Sequence, residues 1–145
     1  MDNETHVIKA GSTAHGQFET DVSIERAGWE WSSIRVLALP AGGSETVASG
    51  VSELLVLPLS GGCAVEVNGE THVLNGREEV WSAITDYLYI PRETTFTVRS
   101  ESGGRFALPA AKATRDLPVR YCPVTEVVTT LRGAGPCSRQ VNNYA

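Results

Sequence analysis

Between Ile34 and Leu108 the chain is a succession of short apolar runs, each closed by a turn signal, and no stretch of it holds a helical period. Such a segment has one solution, strands. Ile34–Leu39 is rich in β-formers and stops at Pro40-Ala41-Gly42-Gly43. Leu54–Leu59 is almost continuously apolar, the mark of a strand covered on both faces. Pro58 inside it demands an edge position or a bulge, because it donates no ladder hydrogen bond. Cys63–Val67 alternates and leads into Asn68-Gly69, a pair suited to the positive φ that a type I′ hairpin turn needs at both central residues. A two-residue loop there pairs Val67 with Glu70, Val65 with His72 and Cys63 with Leu74, which turns His72 inward beside Val65 and Cys63. Asn75-Gly76 reads as a second turn. Val80–Trp81, Tyr87–Ile90, Thr95–Val98 and Arg105–Leu108 complete a set of about eight strands with turns at the spacing of an all-β sandwich or barrel.

The flanks differ. Residues 1–28 are polar and irregular, with room for one or two edge strands. Residues 111–145 carry Pro118, Pro123 and Pro136 and a Gly133-Ala134-Gly135 break. They read as an extended connector with a short helix or strand near Thr125–Leu131 and a further strand at Ser138–Asn142. The 145 residues fit one domain, residues 1–110, followed by the connector 111–145. A formal net charge of -5 gives no cationic field for nucleic acid and no attraction to anionic membranes. No apolar run approaches membrane-spanning length. Met1–Ala10 has no basic start or apolar core of a secretory signal. Cys63, Cys122 and Cys137 are an odd, widely spaced set without a C-x-x-C pair, which suits a reducing cytoplasm. Ten arginines stand against two lysines. Arginine grips carboxylates with two bonds, so anionic ligands fit, although genomic base composition accounts for the bias more simply.

Self-contained chemistry is sparse. The histidines are His6, His15 and His72, with no H-x-H or H-x-x-x-H pair among them. Each reads as a surface or satisfied histidine rather than one of the three convergent ligands of a catalytic metal. Ser52 and Ser60 lie beside glycines but outside a G-x-S-x-G frame, and Ser60-Gly61-Gly62 reads as a turn between strands. Gly42-Gly43-Ser44 is likewise turn chemistry. Glu78 and Glu79 are neighbours that a strand would send to opposite faces. Trp29, Trp31 and Trp81 could stack on a sugar, but strand aromatics are core material first. The residues thus describe an all-β domain without an active site of its own.

Four segments carry a more specific likeness. They are Ala27-Gly28-Trp29-Glu30-Trp31, Leu55-Val56-Leu57-Pro58-Leu59-Ser60-Gly61-Gly62-Cys63, Asp86-Tyr87-Leu88-Tyr89-Ile90-Pro91-Arg92, and Leu131-Arg132-Gly133-Ala134-Gly135-Pro136-Cys137-Ser138-Arg139-Gln140-Val141-Asn142-Asn143. From about residue 27 onward the chain resembles the N-terminal half of the bacterial 5-deoxy-glucuronate isomerases of inositol catabolism.

That resemblance implies a cupin-like double-stranded β-helix, a jelly-roll barrel with few or no helices, and a second cupin barrel as its partner in a protein of about twice this length. It implies aldose–ketose isomerisation of 5-deoxy-glucuronate to 2-deoxy-5-keto-gluconate. A divalent metal on the other barrel would polarise oxygens while a base moves a proton between adjacent carbons. In the cupin pattern Glu53 falls near the glutamate slot, Val47-Ala48-Ser49 occupy the upstream histidine slots, Pro91 matches the second motif's proline, Glu93 stands where a glycine is usual, and Phe96 takes the last histidine slot. Phe96 and Val98 share an inward face, so this half has hydrocarbon where a metallocupin has its metal, and neither cofactor nor catalytic residue is expected within it. Arg132, Arg139, Gln140 and Asn142, clustered at the expected domain junction, are the candidates to face the other barrel or a sugar acid. Homo-oligomerisation and a cytoplasmic location are also expected. The alternative is a stand-alone degenerate cupin that binds a sugar acid or serves as an oligomeric scaffold without catalysis.

Overall fold

The structure, a computed structural model, describes residues 7–145; His6 lies outside the described residues. Among the described residues eleven strands run in chain order: β1 Phe18–Val22, β2 Ser32–Leu39, β3 Gly43–Ala48, β4 Ser52–Val67, β5 Glu70–Arg77, β6 Tyr87–Ile90, β7 Thr95–Ser100, β8 Gly104–Lys112, β9 Arg120–Cys122, β10 Val128–Arg132 and β11 Arg139–Asn143. One helical turn, α1 (Ile24–Ala27), links β1 to β2, capped by Ser23 at its start and by left-handed Gly28 at its end.

The pairing is nested and antiparallel: β2 meets β8, and β3 meets β7. One sheet runs β1-β2-β8-β4-β6-β9; a second layer is built from β3, β7, the distal half of β4 and β5. The 16-residue β4 belongs to both layers. Its first half pairs with β6 and β8, its second with β5 and β7. The crossing is made by two bulges, at Pro58–Ser60 and Gly61–Cys63. Pro58 therefore sits at a bulge, as its missing N–H requires. Ser60-Gly61-Gly62 is not a turn between strands; it is the bend within one strand. A Cβ on Gly61, at φ +77°, would come within 2.5 Å of the Gly103 carbonyl oxygen, so only glycine lets the layers approach there.

The Asn68-Gly69 hairpin forms in the expected register, with Val67 opposite Glu70, Val65 opposite His72 and Cys63 opposite Leu74. Both turn residues have positive φ, 52° and 78°. Asn75-Gly76 makes no turn. It lies within β5, where the two backbone N–H groups donate to the Asp86 carboxylate at 2.9 and 3.0 Å. Gly43 and Ser44, read as turn chemistry, instead open strand β3, Gly43–Ala48; only its Val47 is buried, which explains the weak apolar signal. Val80–Trp81 is not a strand: bonds between Glu79 and Ser82 close a turn, and Trp81 is 90% exposed. Trp29 and Trp31 are also outside the core, about half exposed.

Between the layers Leu37, Leu54, Val56, Val65, Leu74, Leu88, Phe96, Val98, Phe106 and Leu108 are fully buried. A second, smaller cluster lies on the outside of the first sheet, where Leu55 and Leu57 of β4 meet Tyr87, Cys122, Val127 and Tyr144. The apolar run of β4 is thus covered on both faces, its outer one by the chain beyond Lys112.

Candidate functional site

The barrel interior comes first, because the sequence pattern puts a metal site there in related folds. Val47 and Phe96 are 3% and 1% exposed, and Val98 is buried beside them. Ser52, Leu54 and Val56 face inward, so Glu53 faces out. There it accepts a 2.7 Å hydrogen bond from Tyr89 Oη. Burial, with Glu53 as acceptor and charge, pushes the Tyr89 phenol up to about 12. Glu93 adopts φ 54°, the left-handed conformation that glycine usually supplies, and its N–H donates to Gly50 O at 2.6 Å. His72 stands opposite Val65, as its register requires. Its Nε2 is buried, makes no hydrogen bond among the described residues, and lies 3.6 Å from Glu70 Oε2. His15 is exposed and holds Asp21 at 2.7 Å. No group of three or more His, Cys, Asp or Glu gathers among the described residues. Valine and phenylalanine offer a divalent ion no donor, so these residues do not fit the metal that the fold's relatives imply.

Polar chemistry collects instead at one mouth of the barrel. A cleft of about 320 Å³ is lined by Asp21, Ser23, Glu25, Ser33, Arg35, Ser49 and Ser52, with Ala110 at its floor. Arg35 reaches it from the inner face of β2, where Leu37 and Leu39 continue the same row into the core. Burial pushes the Arg35 guanidinium down from its usual range, and the Asp21 charge partly restores it. Sequence reading passed over Arg35, though it is the sole charge in Ile34–Leu39, and a charge in a two-faced apolar strand is the signal that marks it.

The four residues singled out at the connector lie on the β10–β11 hairpin, a separate two-stranded sheet. Arg132 stands opposite Arg139, and Leu131 opposite Gln140, so the arginines occupy one face and Gln140 and Asn142 the other. Gln140 Nε2 and Thr129 Oγ1 both donate to Asn142 Oδ1, at 3.0 and 3.1 Å. Arg139 donates to Cys137 O at 3.3 Å. Leu131 is 83% exposed. Beyond the hairpin Tyr144 folds back on the first sheet. Its ring meets Tyr87 edge-on with centroids 5.8 Å apart, beneath the Arg77 guanidinium.

Two antiparallel layers with nested pairing around one apolar interior define a cupin-type barrel. The fold is shared with a cupin protein from Bacteroides fragilis, at a TM-score of 0.51 and 16% identity over 77% of this chain and 92% of that one. An IolB-like protein from Salmonella typhimurium superposes far better, with a TM-score of 0.84 and 28% identity over 90% of this chain and 51% of that chain. The chain belongs to the KduI/IolB family, whose model matches residues 6–145. Curated relatives named 5-deoxy-glucuronate isomerase include one from Geobacillus thermodenitrificans, 28% identical over 84% of this chain and 45% of its own length. Another, from Halalkalibacterium halodurans, is 27% identical over 85% of this chain and 46% of its own length. The chain spans just under half the length of the curated relatives it matches, and resembles their N-terminal half. Among the described residues no helix is long and apolar enough to cross a membrane.

Proposed function

We propose that this chain is the N-terminal, metal-free cupin barrel of a 5-deoxy-glucuronate isomerase, working in the cytoplasm beside a second barrel that carries the divalent metal and the proton-transfer groups. The observation that carries this reading is the barrel interior: Val47 and Phe96, which have no donor atom, are buried at histidine slots of a metallocupin, Ser49 is committed to Pro91 and Thr94, and Glu53 faces out to Tyr89. Its role is then to dock, to border the neighbouring pocket and to build the oligomer.

The outer face of the first sheet supports docking. Ile34 and Val36 of β2 and Ala107, Pro109 and Ala111 of β8 line it, joined by Leu55 of β4. Glu53, opposite Ala111, borders this face, and the stretch between is apolar, unlike a sheet face meant for water. The β10–β11 hairpin points the same way, because an isolated two-stranded ribbon is marginal in water and gains order from a neighbour. On that ribbon Arg132, Arg139, Gln140 and Asn142 meet the second barrel or the sugar-acid substrate.

The test is turnover. The 145-residue chain, supplied with divalent metal and 5-deoxy-glucuronate, yields no 2-deoxy-5-keto-gluconate, whereas the chain joined to the C-terminal half of the Geobacillus thermodenitrificans relative does. Turnover by the chain alone overturns the reading. The polar mouth around Arg35 favours a second reading, a stand-alone barrel that binds a sugar acid without catalysis; a discrete oligomer of inactive chains with a retained ligand is its outcome in the same preparation.

A further inference from the structure

On β2 the inward row reads Ser33, Arg35, Leu37, Leu39. Arg35 is paired across the sheet with Leu108, which is fully buried, so its stem leaves the apolar floor of the barrel. Its guanidinium lies 5.7 Å from the centre of the Phe18 ring. A guanidinium has five N–H donors. This one makes a single long hydrogen bond, 3.4 Å to Ala48 O, and forms no ion pair among the described residues.

Other arginines are served differently. Arg77 donates to Pro58 O and Ala83 O, Arg92 is paired with Asp116, and Arg105 with Glu19. Two carboxylates share the cleft with Arg35: Asp21, which is engaged by His15, and Glu25, which is exposed to solvent. A half-buried charge with donors to spare is costly, and an arriving anion removes that cost. The hydroxyls beside it sort in the same way. Ser49 is committed, donating to Pro91 O and accepting from Thr94 N–H. Ser33 and Ser52 make no side-chain hydrogen bond among the described residues, and Ser52 is nonetheless buried.

We propose that this mouth binds a small hydroxy-carboxylate, its carboxylate forked by Arg35 and its hydroxyls held by Ser33, Ser52 and Asp21. The cleft, near 320 Å³, falls at the small end of the range of about 300–1,000 Å³ that small-molecule sites occupy. The Phe18 ring, 5.7 Å from the guanidinium carbon, adds a cation–π contact that holds the arginine at the mouth. The inference rests on the second reading above, which it sharpens to a site, and not on the isomerase reading: a barrel that supplies no metal keeps this cleft whether or not a second barrel completes it.

The experiment titrates the 145-residue chain with D-erythronate and with erythritol, its uncharged counterpart, while backbone amide resonances are followed. Erythronate shifts the amides of Ser33, Arg35 and Ser52 saturably, and erythritol does not. Arg35→Gln weakens erythronate roughly tenfold or more, the usual worth of a charge-assisted pair, with the melting temperature held. Should that variant melt early, Arg35→Lys carries the test, because it keeps the charge and stem but loses the fork. Saturable binding elsewhere, no binding, equal binding of erythritol, or an affinity unchanged in the folded arginine variant overturns the proposal.

Discussion

Among the described residues, Asp86 is the most heavily served side chain. It is 1% exposed, and its carboxylate accepts from Asn75 N–H, Gly76 N–H, Tyr121 Oη and Thr85 Oγ1. Removing the acceptor leaves donors on three segments, mostly part-buried, unpaired at once. Asp86→Ala is expected to lower stability by about 2–4 kcal/mol in urea unfolding, well beyond an ordinary surface change; a loss under about 0.5 kcal/mol contradicts the account. Cys63 lies nearby in the core. Burial first, then the Asp86 charge, pushes its thiol up to about 12. At pH 8 its thiolate fraction is then on the order of 10⁻⁴, so it is inert to thiol reagents. Cys122 is buried and Cys137 exposed. A disulfide reagent should titrate one thiol per native chain quickly and the others only on unfolding; three equally fast thiols contradict this. The inward direction of Cys63 is legible from hairpin register alone. The role of Asp86 is not, because its donors come from β5 and β9, which sequence spacing does not bring together.

At the scale of elements, the two Asn-Gly pairs show where sequence reading holds and where it stops. Asn68-Gly69 turns because nothing competes with the local preference for positive φ. At Asn75-Gly76 only Gly76 takes positive φ, and its missing side chain lets β5 press against the bend of β4, where a Cβ on Gly76 would fall 1.9 Å from Gly61 O. Ser60-Gly61-Gly62 fails as a turn for the matching reason, since its glycines make room for a neighbouring layer. Strand β3 escapes notice because it buries one side chain. Strands β6 and β9 carry a further consequence. Tyr87, Tyr89 and Tyr121 all have phenols held above their usual range, in each case chiefly by burial. In the native chain these phenols keep their protons where the unfolded chain, with phenols near pH 10, has begun to lose them. The unfolded state then binds fewer protons, and stability falls as pH rises from about 10 towards 12. Urea midpoints should decline across that window, with phenolate absorbance lagging that of the denatured protein. A flat midpoint contradicts the placement of this cluster.

Taken whole, the molecule is a barrel whose middle is hydrocarbon. Its all-β architecture and the inward pair Phe96–Val98 are legible in alternation and turn chemistry, since each follows from local rules. The mouth at Arg35 and the apolar outer face are harder to read, because each is assembled from strands far apart in the chain. The same holds for the hairpin: its two strands are visible as segments, but the separation of Arg132 and Arg139 from Gln140 and Asn142 onto opposite faces needs the register. Overpacking or emptying the interior should be costly, and Phe96→Ala should destabilise by about 3–5 kcal/mol. The central claim, a family barrel with no seat for a metal ion, is tested most directly by the divalent metal content of the purified 145-residue chain after dialysis, read by elemental mass spectrometry. The account predicts well under one ion per chain. About one tightly held ion per chain, lost on His72→Ala, would contradict it.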